Sequence, residues 1–265
     1  MPSDRDLARL REVAVGAARE AGRIVLEAGR GVRVEVKGAG DYVTAADRAA
    51  EEAIRAALEA GAPGIPVLGE EGGGAREASE TWVVDPIDGT TNFVHGFPVV
   101  GVSIGLLREG RPIVGVVGAP LLGDLYAGAR GAGATVTDRD GRERPLRVAD
   151  RPTSTAIVAT AFPFRRRGSL PRYLEALTGV LDTVEDVRRA GAAALDLAWV
   201  ADGVFDAYYE LGLAPWDVAA GALLVEEAGG VVTDWDGGSG YLDGEVLAAP
   251  PHVHADLVGL LARRD

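Results

Sequence analysis

Apolar residues return at every third or fourth position between residues 5 and 29. Leu7, Leu10, Ala14, Ala17, Ala21, Ile24 and Ala28 fall on one side of a predicted helix, which Gly29 and Gly31 end. The period then shortens to two: residues 32–37, Val-Arg-Val-Glu-Val-Lys, alternate as a half-buried strand does. Helical spacing resumes over 44–60. Thr44 and Asp47 stand at the N-cap and N3 positions of a capping box, and Gly61 supplies the stop. Runs of Val, Ile and Gly follow. They predict strands near 81–85, 99–107 and 112–118, with Arg108-Glu109-Gly110-Arg111 as a hairpin turn. Segments 124–127 and 134–136 extend that sheet, and Asp140-Gly141 turns it.

From about residue 150 the pattern changes. Strands at 155–160, 183–187, 204–209, 230–233 and 245–249 interleave with helices at 169–181, 191–202, 216–228 and 252–263. Such interleaving predicts a layered α/β half. The expected organisation is an N-terminal α+β half, residues 1–148, and a C-terminal α/β half, residues 149–265. The whole is long enough to bury a sizeable core.

Composition narrows the function. With 47% hydrophobic and 25% charged residues the chain reads as an ordinary globular protein. No apolar run approaches the roughly 18 residues of a membrane span. The start, Met1-Pro2-Ser3-Asp4-Arg5-Asp6, lacks the basic and apolar regions of a signal peptide, so the expected location is the cytoplasm, away from membranes. The absence of cysteine excludes disulfides and thiolate metal sites. A net charge of −13 argues against a nucleic-acid partner. It also conflicts with a phosphorylated small molecule, unless a divalent cation stands between protein acid and phosphate.

Three segments carry candidate chemistry. In Trp82-Val83-Val84-Asp85-Pro86-Ile87-Asp88-Gly89-Thr90-Thr91-Asn92-Phe93, an apolar strand ends in Asp85, Asp88 follows, and a helix is expected to begin just beyond. Two hard carboxylates beside free N–H groups suit a phosphate and its Mg²⁺ together. Leu68-Gly69-Glu70-Glu71-Gly72-Gly73-Gly74 is expected to be a mobile loop offering Glu70. In Glu210-Leu211-Gly212-Leu213-Ala214-Pro215-Trp216-Asp217, a strand closes on Glu210 and a helix opens on Asp217. Taken singly, these acids read as turn, loop and cap residues.

Together the segments resemble the inositol monophosphatase family. Residues 85–93 fit its D-P-[IL]-D-G-T-x-N-F motif, and Trp216-Asp217-Val218-Ala219-Ala220 fits its W-D-x-A-A/G motif. Asp41-Tyr42-Val43-Thr44-Ala45-Ala46-Asp47 and Arg188-Arg189-Ala190-Gly191-Ala192-Ala193-Ala194-Leu195-Asp196 resemble two further family segments. The resemblance implies an αβαβα layered sandwich. It implies that Glu70, Asp85 and the Ile87 carbonyl hold one Mg²⁺, that Asp85, Asp88 and Asp217 hold a second, and that a third ion binds near Glu70. It places Glu70, Thr90 and Asp47 in water activation and the Gly89 and Thr90 N–H groups on the phosphate. Asp88, Gly191, Ala192, Ala193, Glu210 and Asp217 would meet the rest of the substrate. Lithium sensitivity and a homodimer also follow from the resemblance.

The expected reaction is hydrolysis of a small phosphate monoester, foremost myo-inositol 1-phosphate. Divalent cations offset the charge of the dianion and activate water, with no phosphoenzyme. The histidines fit this scheme: His95 reads as structural or at the rim, His252 and His254 as surface residues. Ala192, where relatives often carry Ser or Thr, and Ala214-Pro215 before Trp216 leave the substrate open. Fructose 1,6-bisphosphate competes, because Arg165, Arg166 and Arg167 follow Phe162-Pro163-Phe164 in a candidate substrate loop. Histidinol phosphate and 3′-phosphonucleotides are further alternatives. A non-catalytic regulatory protein would be expected to have lost one of the four metal carboxylates, and all four are present.

Overall fold

A computed structural model describes residues 4–29, 34–38, 41–74, 78–164 and 166–262. The chain opens with α1 (Asp4–Ala28), the hairpin β1 (Val34–Gly38) and β2 (Asp41–Thr44), and α2 (Ala45–Gly61). It continues through β3 (Val67–Gly69), β4 (Glu80–Asp88), α3 (Thr90–His95), β5 (Gly101–Arg108), β6 (Arg111–Ala119), β7 (Asp124–Ala129), β8 (Gly133–Thr137) and β9 (Glu143–Pro145). The remainder comprises β10 (Ile157–Thr160), α4 (Leu170–Leu181), β11 (Asp186–Arg188), α5 (Ala193–Ala201), β12 (Ala207–Leu211), α6 (Pro215–Glu227), β13 (Val231–Thr233), β14 (Glu245–Ala249) and α7 (Pro251–Leu261).

Two mixed sheets stack with helices in five layers. The seven-stranded sheet has the order β3-β4-β5-β6-β7-β8-β9, and the five-stranded sheet β11-β10-β12-β14-β13. Strand alternation assigns the faces. Trp82, Val84, Val102, Ile104, Val114 and Val116 point to α1 and α2, burying Ala14, Ala17, Ala21, Ile54 and Leu58. Val83 and Val117 point the other way, into a core shared with Leu195, Leu197 and Leu224 of α5 and α6 and with Tyr208 and Val246 of the second sheet. The far face of that sheet, Tyr209, Leu247 and Ala249, is covered by Tyr173 of α4 and by Val253 and Leu257 of α7.

The central helices sit close because small residues line their seams. A Cβ on Gly221 would lie 2.4 Å from the Leu197 Cβ. Gly221→Ala is therefore expected to cost about 2 kcal/mol or more through overpacking, read as a fall in Tm of several degrees. An unchanged Tm would mean that α5 and α6 can part without penalty.

The structure shifts several expected boundaries. The second-half strand expected over 204–209 begins only at Ala207, because buried Asp206 caps its approach, accepting from the Ile157 N–H at 2.8 Å and Arg151 Nε at 2.8 Å. Residues 153–155 form a 3₁₀ turn ahead of β10, and β11 spans only Asp186–Arg188. Thr44 caps α2 with the expected box, but Ala62 rather than Gly61 closes it. The short strand β3 went unrecognised, being three residues long. Of the strand expected over 32–37, residues 32 and 33 lie outside the described residues, as does Arg165 of the arginine loop.

Candidate active site

Strand β4 does not stop at Asp85. It runs on to Asp88, pairing Asp85 with Ser103 and Asp88 with Gly101, with an irregularity between. Pro86 has no N–H to give the ladder, so the strand bulges there and re-aims its acids. Asp85 Oδ1 accepts the Ile87 N–H at 2.9 Å, which closes the turn. Asp217 arrives from the other half. Ser103, the cross-strand neighbour of Asp85, donates its hydroxyl to the Trp216 carbonyl at 2.7 Å. Asp217 Oδ2 in turn accepts the Ala214 N–H at 2.7 Å, so the first turn of α6 is fixed beside β4. Asp85, Asp88 and Asp217 each present a carboxylate oxygen, all within 4.8 Å of one another.

Two further ties assemble the site. Asn92 Nδ2 reaches the carbonyls of Val99 at 2.8 Å, Ala190 at 2.9 Å and Gly191 at 3.2 Å. The motif after β4 is thereby fastened to the turn before α5. Asp88 Oδ2 accepts the Ala194 N–H at 2.7 Å, at the positive end of α5. Gly89 sits between them at φ +87°, where a Cβ would approach the Val99 carbonyl to 3.0 Å, so glycine is required on both counts.

The electrostatics are unfavourable for bare carboxylates. Burial, then the charges of Glu70, Asp88 and Asp217, push the Asp85 carboxyl well above its ordinary range. Burial also pushes Asp88 up to about 7, helped by Glu210 and Glu70 and opposed by the Ala194 and Ala193 amides. Clustered anions of this kind, all hard oxygen donors, fit a divalent cation such as Mg²⁺, which would relieve the repulsion.

These acids line one wall of a cavity of about 600 Å³ that also takes in Glu70, Ile87, Gly89, Thr90, Gly191, Ala193 and Glu210. Its lining is also aromatic and basic, with Phe162, Phe164, Arg166 and Arg189. Phe164 is 61% exposed, and the Arg189 guanidinium lies 5.8 Å from its ring centroid. Asp47 does not line the cavity. It is buried behind Thr90, whose hydroxyl lies 3.1 Å from the Ile87 carbonyl and 3.5 Å from Asp47 Oδ1. The link from Thr90 to Asp47 is thus longer than a good hydrogen bond. Ala192 is buried too and does not line the cavity; its methyl lies behind Gly89, 3.3 Å from where a Cβ there would stand. The expected mobility of residues 70–74 is not what the fold provides: Glu51 accepts the Glu71 and Gly72 N–H groups, each at 2.8 Å. His95 is exposed at the end of α3, and His252 is exposed and bonded to the Arg151 carbonyl. His254, expected at the surface, is half-buried against the Thr233 hydroxyl at 2.8 Å.

Sequence reasoning missed two residues behind Glu210. The Tyr208 hydroxyl donates to Glu210 Oε2, and Asp196 is wholly buried beside them. Burial and the charges of Glu210 and Asp88 hold the Asp196 carboxyl well above its usual range. A lone acid within the apolar helix Ala193–Ala201 was the available signal.

A model of the Inositol monophosphatase family matches residues 6–264. The chain is 45% identical over 246 residues to the Inositol-1-monophosphatase of Mesorhizobium japonicum, covering 90% of this chain and 91% of that one. It is 43% identical over 247 residues to the Nus factor SuhB of Pseudomonas aeruginosa, covering 89% of each. The crystal structure of extragenic suppressor protein suhB from Bartonella henselae superposes with a TM-score of 0.89 at 38% identity, over 97% of this chain and 99% of that one.

Proposed function

Since the chain belongs to the inositol monophosphatase family, we propose that it is a Mg²⁺-dependent phosphatase hydrolysing myo-inositol 1-phosphate to inositol and phosphate. The observation that carries this reading is the convergence of Asp85, Asp88 and Asp217 within 4.8 Å at one wall of the cavity. Glu70, Asp85, Asp88, Asp217 and the Ile87 carbonyl would hold two Mg²⁺ ions, with a third near Glu70. When bound, the ions supply charge neutralisation and water activation. The protein's own groups do the rest. Thr90, held by the Ile87 carbonyl and backed by Asp47, orients the attacking water, and Glu70 takes its proton. The Gly89 and Thr90 amides receive phosphoryl oxygens. Glu210, braced by Tyr208, and Asp88 accept hydrogen bonds from polyol hydroxyls beside Gly191 and Ala193. A homodimer and the two halves 1–148 and 149–265 belong to the same proposal. The seven-stranded sheet ends at Pro145 and the other begins at Ile157, and the cavity is lined by residues from before and after that break. Among the described residues no helix is long and apolar enough to cross a membrane.

The experiment is phosphate release from inositol 1-phosphate, fructose 1,6-bisphosphate, histidinol phosphate and 3′-phosphoadenosine 5′-phosphate, with and without Mg²⁺. Release from none of them would sink the reading. The arginines in the lining favour fructose 1,6-bisphosphate as the second candidate. If that is the substrate, Arg166→Gln and Arg189→Gln should each raise its KM at least about tenfold, the worth of one charge-assisted hydrogen bond. Unaltered KM values would remove the bisphosphate reading.

The relatives named Nus factor SuhB favour a second, separate role of that kind for this chain. A net charge of −13 directs any such role toward a protein partner rather than toward nucleic acid. Functional exchange with a SuhB relative, using a variant lacking phosphatase activity, tests it.

A further inference from the structure

We propose that Glu51 is a positioning residue that mounts Glu70, setting the Mg²⁺ affinity of the site without touching metal or substrate; this rests on the metal-centred reading above. Glu51 lies on α2 and is buried, outside the cavity lining. Its Oε2 accepts the Glu71 N–H at 2.8 Å, and its Oε1 accepts the Gly72 N–H and Arg55 Nε, each at 2.8 Å. Arg55 continues the clamp, donating to the carbonyls of Val67 at 2.9 Å and Gly73 at 2.7 Å. Gly69 and Gly73 exchange backbone hydrogen bonds at 3.1 Å, and the Glu70 N–H is tied to the Val84 carbonyl at 3.2 Å. Glu70 therefore stands on a closed tip whose amides all point at fixed acceptors.

Two glycines of this tip, Gly69 and Gly72, are explained by the same carboxylate. A Cβ on Gly69 would lie 2.5 Å from the Glu51 oxygens, and one on Gly72 would lie 2.6 Å from Oε1 and 2.9 Å from Arg55 Nη2. Neither glycine has a positive φ, so backbone conformation does not demand them; the room for Glu51 does. Asp47, one helical turn earlier on α2, backs Thr90. Residues four apart share a helix face, so a single turn of α2 faces both Thr90 and the loop bearing Glu70. A carboxylate that orients a metal ligand from behind typically governs about 10–100-fold in metal affinity.

The test titrates Mg²⁺ into metal-stripped wild type, Glu51→Gln and Gly72→Ala by calorimetry. It is paired with amide exchange at residues 71 and 72 and with the Mg²⁺ dependence of phosphate release. Glu51→Gln keeps the size of the side chain but turns an NH₂ toward an N–H donor. Gly72→Ala displaces the carboxylate by bulk at an exposed tip, so it carries the comparison even if Glu51→Gln does not fold. Each variant is expected to weaken Mg²⁺ binding at least about tenfold and to speed exchange at both amides. Saturating Mg²⁺ should restore turnover with an unchanged substrate KM, a rescue that a merely destabilised fold would not show. Mg²⁺ affinity within about twofold of wild type in the folded variants, by the same measure, would overturn the mount alone. A wild type that binds no Mg²⁺ would overturn the metal-centred reading itself.

Discussion

Asp217→Asn is expected to lower kcat at least about 100-fold, or about 2.7 kcal/mol of transition-state stabilisation, while α6 stays capped. The substitution separates two duties of one side chain. As a cap, Asp217 accepts the Ala214 N–H through Oδ2, and an amide oxygen can accept the same bond. As a member of the carboxylate triad it contributes charge, which an amide cannot. The variant should therefore keep a Tm within a few degrees of wild type, as expected when a neutral acceptor replaces a charged one at a cap. Steady-state phosphate release and thermal denaturation on the same preparation check both halves. Near-normal turnover would show that Asp217 is a cap and nothing more, and the metal-centred reading would fail with it.

The metal-free protein is expected to lose stability as pH rises. The Asp88 carboxyl, ordinarily near 3.8, is pushed up to about 7 in the fold, chiefly by burial. Asp85 moves in the same direction. Between about pH 4 and pH 7 the native state thus holds a proton that the unfolded chain has released, so stability is fully present below the lower value and declines toward the upper one. For Asp88 alone the rise corresponds to about 4 kcal/mol at most. Mg²⁺ supplies the neutralising charge instead of protons, so saturating metal should flatten the decline. Thermal denaturation of chelator-treated protein at pH 5 and pH 8, with and without added Mg²⁺, measures this. Asp85 and Asp196 are raised as well, so Asp88→Asn is the control: identical pH slopes in variant and wild type would refute the assignment.

Periodicity carried the helices and most strands, because a helix face or an alternating strand is written in neighbours three, four or two residues apart. α1 and α2 were legible for that reason, and β5 and β6 as continuous apolar runs buried on both faces. Asp88 and Asp217 were legible as hard ligands near element ends, whereas Asp85, read as the end of a strand, lies within β4. Where local signals competed with packing, they misled. Asp206 spends its carboxylate on capping β10 and delays β12. The glycines of residues 69–74 suggested mobility, although Glu51 fills the space beside Gly69 and Gly72. Ala192 stands between two cavity-lining residues yet is itself buried. Asp196 closes the segment that begins at Arg188, but nothing in its spacing or in that of Tyr208 ties either to Glu210.

The sequence by its short-range order decided which segments would be helix or strand and which residue types could bind a hard cation. Tertiary packing alone decided which acids meet. Ser103 brings the start of α6 beside Asp85, Asn92 fastens the motif to the turn before α5, and Glu51 orients the loop of Glu70. Each is a contact between residues far apart in the chain. Burial, and with it the raised carboxyls of Asp85 and Asp88, exists only once those contacts have excluded water.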